Sequence, residues 1–137
     1  MVEGSQIDWA CHRNDANDTI RQTLRFDEAV RSAVEFALKN RHTIVIVTAD
    51  HETGGLVIVG GKLPRKNLEL HWSTKNHSAL PVPLYAFGPK ASIFAGVYDN
   101  TEVPKKLAKL LGITSFPRKI KPNASELSLV PNTAQGR

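Results

Sequence analysis

The sequence has 137 residues, which suggests a single domain with room for one substantial core. Its 41% hydrophobic and 23% charged residues are ordinary for a globular protein and disfavour a disordered chain. The apolar run Ile44–Val47 is far short of the roughly 20 residues that span a bilayer, so no membrane span is expected. The single cysteine, Cys11, excludes an internal disulfide and a Cys-rich zinc cage. Any metal must therefore be held by His and carboxylate groups.

The net charge of +5 is unevenly distributed along the chain. Residues 1–103 carry 11 Lys and Arg against 12 Asp and Glu, whereas residues 104–137 carry 7 against 1. We expect residues 113–137 to form a basic, mobile tail. Such a tail can contact anionic surfaces. No aromatic or glycine pattern is interleaved with its charges, and aromatic residues make up only 7% of the chain, so a nucleic-acid partner is not favoured.

The first part of the chain is predicted to be the end of a strand and a loop, then a helix and a buried strand. Apolar residues recur at spacings of three and four over residues 19–39, which predicts an amphipathic helix. Its apolar stripe comprises Phe26, Ala29, Val30, Ala33, Val34 and Ala37. The β-branched run Thr43–Thr48 is typical of a central parallel strand buried on both faces. A helix, a short turn and a buried strand form half of a βαβ unit, which predicts an α/β fold.

The second part of the chain is predicted to contain two more strands and a short helix. Leu56–Val59 is the first of these strands, and residues 62–76 are polar and irregular. Val82–Phe87 is the other, although Pro83 restricts it to an edge, a strand start or a bulge. A helix over Val103–Leu111 follows, because proline opens it and glycine ends it.

Three clusters of candidate metal ligands stand out. They are Glu3 with Asp8 and His12, Asp50 with His51, and His77. One helical turn would direct Asp8 and His12, which are four positions apart, toward the same point. The Asp50–His51 pair follows a predicted strand, where ligands of α/β sheets commonly bind. Adjacent side chains point apart on a strand, so a shared site requires an irregular turn, which Gly54–Gly55 makes possible.

Neutral imidazoles combined with carboxylates are typical of zinc sites that keep one position open for water or substrate. Each cluster also has a simpler explanation. The pair at spacing four is commonly a surface pair, Asp50 could cap the following element, and His77 and Glu3 could be solvated surface groups. Cys11 could be a soft ligand, but a small buried filler fits it better.

A family resemblance adds what spacing alone does not supply. The alkaline phosphatase metal-binding segments resemble residues 1–12, M-V-E-G-S-Q-I-D-W-A-C-H, residues 43–55, T-I-V-I-V-T-A-D-H-E-T-G-G, and residues 76–89, N-H-S-A-L-P-V-P-L-Y-A-F-G-P. Residues 97–112, with Y-D-N-T-E-V-P, resemble the final strand-and-helix region of that family. Because several separated segments agree in order and spacing, residues 1–112 resemble the C-terminal part of an alkaline phosphatase domain.

The resemblance implies a partial alkaline-phosphatase-like α/β fold, with a mostly parallel sheet flanked by helices. Met1 aligns with an internal position just inside a strand, so the expected fold is truncated at its N-terminus. The implied ligands are Asp8, His12 and His77 for a first Zn²⁺, Asp50 and His51 for a second, and Glu3 for Mg²⁺. Trp9 is implied to border the phosphate pocket, although it could also be a packing residue.

The reaction implied by the resemblance is phosphomonoester hydrolysis through a phosphoserine intermediate. The nucleophilic serine, a phosphate-binding arginine and a shared aspartate would lie upstream of this chain. No Asp-Ser-Ala nucleophile motif occurs here, and four serines lack its context: Ser5, Ser32, Ser73 and Ser78. No residue is therefore assigned a catalytic role, and the isolated chain is expected to be inactive.

Other functions stay open at this point. A related phosphodiesterase or mutase is disfavoured by Glu3, a magnesium-type ligand that favours true alkaline phosphatases. A catalytically inactive zinc-binding fragment, or an interaction module whose basic tail binds anions, is the alternative. The family implies periplasmic or secreted action, although no export signal is expected after Met1. Expected partners are a phosphomonoester substrate and a second copy or a complementing N-terminal half.

Overall fold

A computed structural model describes residues 1–62 and 68–118 of the chain. The described residues fall into two compact units, Met1–Gly96 and a second unit that begins at Val97. Most of the predicted mobile tail, residues 119–137, lies outside the described residues. The predicted division of the chain after residue 112 stays a prediction.

Helix α1 spans Ser5–His12, so the loop predicted near the start of the chain is a helix here, in agreement with the helical turn considered for Asp8 and His12. The segment contains neither proline nor glycine, and its helical form buries Ala10 and Cys11. The helix packs against α2 and contacts the short strand β2, Glu52–Thr53. These contacts stabilise the helix, although the short segment has little apolar periodicity of its own.

Helix α2 spans Ala16–Asn40 and confirms the helix predicted over residues 19–39. The side chain of Asp15 caps its start by accepting a hydrogen bond from the backbone N–H of Asp18. Arg41, with a φ of 59°, ends it in the left-handed conformation. The apolar stripe is narrower than predicted, because Ala37 is buried while the alanines at 29 and 33 are exposed.

Strand β1, Val45–Thr48, pairs with β6, Leu84–Phe87, and the two strands run antiparallel. The prediction of a parallel strand buried on both faces is therefore wrong for this pairing, since Val45–Val47 are half-buried and Thr48 is exposed. An apolar β-branched run specifies a strand but not the direction of its neighbour. Pro83 directly precedes β6, which agrees with its predicted restriction to a strand start.

Two further antiparallel pairs complete the described sheets. Strand β3, Val57–Gly60, pairs with β4, Glu69–His71, and β2 pairs with β5, His77–Ser78. Strand β4 falls inside a region predicted to be irregular, and His77 lies on strand β5, directly after that region. All strand pairs among residues 1–62 and 68–118 are antiparallel, so the mostly parallel sheet is not found there.

The described part of the second unit is built around helix α3, Glu102–Leu110, which confirms the predicted C-terminal helix. Ala108 is buried, and the Lys106 Nζ lies 3.5 Å from the centre of the Tyr98 ring. Such an ammonium–aromatic contact contributes a modest attraction. Across the residues that the structure describes, no helix is long and apolar enough to cross a membrane.

The Asp18 carboxylate makes the most extensive ion pairing on α2. Arg21 and Arg13 donate to it at 2.5 and 2.6 Å, and Gln22 donates at 3.1 Å. The hydrogen bonds from Arg21 and Gln22 hold the pKa of this carboxyl below its ordinary value of 3.8. A depressed pKa in the folded state means that ionisation stabilises the fold.

We predict that Asp18→Asn lowers the free energy of unfolding at pH 7, as measured by urea titration. The stabilisation is fully present above pH 3.8 and is lost as the pH falls through the lower folded-state pKa, so the two proteins should converge in acid. Asp27→Asn is the matched control on the same helix, because Asp27 lies 3.8 Å from Arg31 and its side chain is 64% exposed. A deficit that is equal at pH 7 and pH 3 would contradict the prediction.

Candidate metal centre

The first unit brings together Asp8 and His12 of α1 and His77 of β5. The Nε2 atoms of the two histidines are 3.2 Å apart. The Oδ1 atom of Asp8 lies 3.4 Å from the Nε2 of His12 and 3.5 Å from the Nε2 of His77. The helix supplies two of these groups one turn apart, as the spacing of four predicts, and the strand supplies the third from 65 residues further along.

Thr53 links this cluster to His51. Its hydroxyl donates to the Oδ1 of Asp8 at 2.6 Å. The Thr53 hydroxyl oxygen also lies 3.2 Å from the Nδ1 of His51. Because the hydroxyl proton points to the carboxylate, the threonine oxygen accepts from the Nδ1–H of His51. This contact directs the unprotonated Nε2 of neutral His51 away from Thr53.

The ring of His12 is oriented in the same manner. Its Nδ1 lies 2.5 Å from the backbone carbonyl oxygen of Lys75, which can only accept a hydrogen bond. The proton of neutral His12 therefore resides on Nδ1, and the lone pair on Nε2 faces Asp8 and His77. Histidines that bind metals commonly donate their second ring N–H to an oxygen in this way.

Asp50 and His51 lie beside the cluster. The Nε2 of His51 is 3.4 Å from the Oδ2 of Asp50, and its ring stacks on His77 with centroids 3.5 Å apart. The Asp50 side chain is 88% exposed, whereas that of His51 is 30% exposed. The structure thus places the second pair of predicted ligands next to the first set, with one carboxylate open to solvent.

Glu3 and Trp9 stand apart from these contacts. Among residues 1–62 and 68–118, the one group of three or more close ligand side chains is Asp8 with His12 and His77. Glu3 is exposed and lines an open cleft with Arg25 and Phe26. Trp9 is 56% exposed, which makes it more accessible than a packing residue of α1 would be. Their predicted roles with Mg²⁺ and phosphate stay predictions.

Gly54 forms the turn that holds the neighbouring loop in place. Its N–H donates to the carbonyl of Asn76 at 2.9 Å, and its carbonyl accepts from the N–H groups of Ser73 and Thr74. Its φ of 92° lies in the region that favours glycine. This turn confirms the irregular geometry expected at Gly54–Gly55, and it docks the loop that carries the carbonyl of residue 75.

Two acidic groups near the cluster have shifted pKa values. Burial raises the pKa of the Cys11 thiol, whose Sγ lies 3.7 Å from the hydroxyl of Thr19, so Cys11 packs as a neutral side chain. Burial also acts to raise the pKa of Glu52, but hydrogen bonds from Ser78 and from the backbone of residues 55 and 56 outweigh it and hold that pKa below 4.5. Cys11 is therefore a filler and Glu52 an ionised hydrogen-bond acceptor.

Sequence reasoning missed Thr53, Glu52 and the carbonyl of Lys75. Thr53 lies two positions after His51, and residues two apart on an extended segment share a face, so the period of two was an available signal. No comparable signal existed for the carbonyl, because any residue type provides one. Its position depends on the fold of the loop.

The fold and this cluster define a protein of mixed helices and strands with a candidate metal centre of two imidazoles and a carboxylate. Comparison with known proteins agrees with that class. The sequence model of the family described as alkaline phosphatase matches residues 1–70 and 62–113. The chain therefore belongs to the alkaline phosphatase family.

Individual relatives support the same assignment. Alkaline phosphatase 3 of Bacillus subtilis is 29% identical over 81% of this chain and 39% of its own length. Streptomycin-6-phosphate phosphatase of Streptomyces griseus is 32% identical over 82% of this chain and 29% of its own length. A solved variant of the TAB5 alkaline phosphatase, described with Mg bound, gives a TM-score of 0.74 at 39% identity, covering 80% of this chain and 34% of that one. The chain thus spans two fifths or less of the relatives named here.

We predict that Gly54→Ala destabilises the first unit by at least about 2 kcal/mol, because left-handed strain and overpacking add. A Cβ at this position would lie 2.5 Å from the Trp72 ring. The measurement is the free energy of unfolding from urea titration. Gly112→Ala is the matched control, because Gly112 has a φ of 71° but nothing within 4 Å of the added Cβ, so it carries the strain alone. Equal losses in the two variants would show that the Trp72 contact contributes nothing.

Proposed function

We propose that this chain supplies a metal-binding part of the active site of an alkaline phosphatase, a metal-dependent phosphomonoester hydrolase. The observation that carries the proposal is the convergence of ligand atoms from Asp8, His12 and His77, all within 4.8 Å of one another. These residues come from two separated motifs, and helix α1 and strand β5 bring them together. Membership of the family supports the reaction class.

The donor atoms fit a tetrahedral zinc ion. With ligand bonds of about 2.0–2.1 Å, the donor atoms of a tetrahedral site are about 3.3 Å apart. The three separations measured here are 3.2, 3.4 and 3.5 Å. The side chains of Asp8, His12 and His77 are between 31% and 48% exposed, so a fourth position can be open to water or substrate.

The remaining predicted ligands complete the proposal. Asp50 and His51 would hold a second zinc ion, and their donor atoms, 3.4 Å apart, have the same tetrahedral spacing. Glu3 would contribute to a magnesium site, in line with the Mg reported for a related structure. Trp9, exposed one residue after Asp8, would border the bound phosphate group.

Bound zinc ions would supply Lewis acidity and an activated oxygen nucleophile beside the phosphorus atom. The residues of this chain bind and orient. Asp8 presents one carboxylate oxygen, and the carbonyl of Lys75 and the hydroxyl of Thr53 set which nitrogen of His12 and His51 carries the proton. No side chain of this chain is proposed as the covalent nucleophile.

We predict that His77→Ala lowers the affinity of the full chain for Zn²⁺ by more than about 100-fold. Removing a residue that only hydrogen-bonds to a metal ligand lowers metal affinity by about 10–100-fold. His77 is proposed to contact the ion directly, so its removal should have a larger effect. Isothermal titration calorimetry measures the affinity.

His42→Ala is the control for the zinc experiment, because His42 is also exposed but takes no part in the cluster. That variant should bind zinc as the wild type does. Unchanged affinity in the His77 variant, at unchanged circular dichroism, would remove His77 from the proposed site.

We predict that the purified chain does not turn over p-nitrophenyl phosphate, because the covalent step has no serine in the required motif. Release of nitrophenolate at 405 nm is the measurement, with and without added zinc and magnesium. Turnover that a chelator abolishes would refute this part of the proposal. The expected location outside the cytoplasm, the second copy and the complementing half stay predictions.

A further inference from the structure

Glu52 is a half-buried carboxylate beside the candidate metal centre but outside it. Its Oε2 accepts from the backbone N–H of Gly55 at 3.0 Å and from the Ser78 hydroxyl, and its Oε1 accepts from the N–H of Leu56 at 3.2 Å. One side chain thus ties its own turn to the strand that carries His77. Glu52 does not belong to the group formed by Asp8, His12 and His77.

The backbone pairing that Glu52 spans is very short. Strands β2 and β5 pair over two positions, Glu52 opposite Ser78 and Thr53 opposite His77. Ladders this short specify their register weakly, and a slip by one residue would turn every side chain to the other face. Beyond this ladder, the hydrogen bond from the Gly54 N–H to the Asn76 carbonyl supports the register on one side, and a side-chain bond at Glu52 and Ser78 would support it on the other.

The side-chain bond between Glu52 and Ser78 is placed to provide that support. Because side chains alternate along a strand, this bond lies on one face of the ladder, while Thr53 and His77 share the other. The second face is the one that reaches Asp8: through the Thr53 hydroxyl at 2.6 Å and through the His77 Nε2 at 3.5 Å.

We propose that Glu52 is a positioning residue, which locks the register of β2 and β5 through Ser78 and so delivers His77 to Asp8 and His12. The statement about metal affinity rests on the proposed function, whereas the statement about register does not. Within residues 1–62 and 68–118, the hydrogen bonds of Glu52 go to Gly55, Leu56 and Ser78, and Glu52 is not part of the Asp8, His12 and His77 group. Apart from the electrostatic attraction between its carboxylate and His51, its influence on the centre passes through the ladder.

The test uses the full chain with Co²⁺ as a spectroscopic probe for the zinc position. The variants are Glu52→Ala, Glu52→Gln and Ser78→Ala, with Glu69→Ala as the control for loss of an exposed strand glutamate. Two quantities are measured: the Co²⁺ dissociation constant with its visible absorption spectrum, and the cross-strand nuclear Overhauser effect between residues 53 and 77 in the metal-free chain.

We expect Glu52→Ala to weaken Co²⁺ binding by about 10-fold or more, which is the range found for partners outside the ligand shell. The cobalt absorption bands should shift, and the cross-strand effect should be lost. Glu52→Gln keeps one acceptor oxygen and should lie between Glu52→Ala and the wild type. Glu69→Ala should match the wild type in both measurements.

Ser78→Ala decides the matter if Glu52→Ala does not fold, because it removes the cross-strand bond and keeps the two turn hydrogen bonds. An unchanged cross-strand effect in a folded Glu52→Ala or in Ser78→Ala would overturn the proposal. If the wild type binds no Co²⁺ at all, the proposed metal centre fails. The cross-strand effect would still decide whether Glu52 sets the register.

Discussion

The candidate centre depends on one cross-strand pairing, Thr53 opposite His77. That pairing places a hydroxyl against Asp8 and an imidazole against Asp8 and His12 at once. Helix α1 contributes its two groups by local geometry alone, whereas the third arrives only if β2 and β5 align. The backbone hydrogen bonds of a two-residue ladder stabilise that alignment only weakly. Side-chain hydrogen bonds and the Gly54 turn therefore do much to position the loop that carries the carbonyl of residue 75.

The polar groups of the centre are arranged in layers. The innermost atoms are Asp8 Oδ1 and the Nε2 atoms of His12 and His77. They lie 3.2 to 3.5 Å from one another, which is the spacing expected of donor atoms around one zinc ion. Behind them, a backbone carbonyl and a threonine hydroxyl fix the ring protons of His12 and His51. This division of labour leaves the lone pairs pointing inward, which is the electronic requirement for binding a cation.

The sequence predicted the proximity of the candidate ligand side chains better than it predicted the structure around them. Asp8 and His12 were identifiable from a spacing of four, and Asp50–His51 from their place after an apolar strand. His77 had no local signal, because its role depends on contacts with residues more than sixty positions away. The antiparallel direction of β1 was not predictable from a β-branched run, and the full length of α1 was missed because tertiary contacts stabilise a segment with little periodicity. Thr53 and Glu52 act through partners that spacing does not reveal.

The exposure of the imidazoles has a consequence for ion exchange. The side chains of His12 and His77 are 37% and 48% exposed, so the proposed centre has a side that is open to solvent in the described part of the chain. If the proposed centre binds a cation, the ion could enter and leave through this open side, and its residence time would depend chiefly on the strength of its bonds to the ligands. Occupancy would then track the free concentration of each competing ion in the surroundings, and the protein would discriminate between similar cations by donor chemistry rather than by a closed cage.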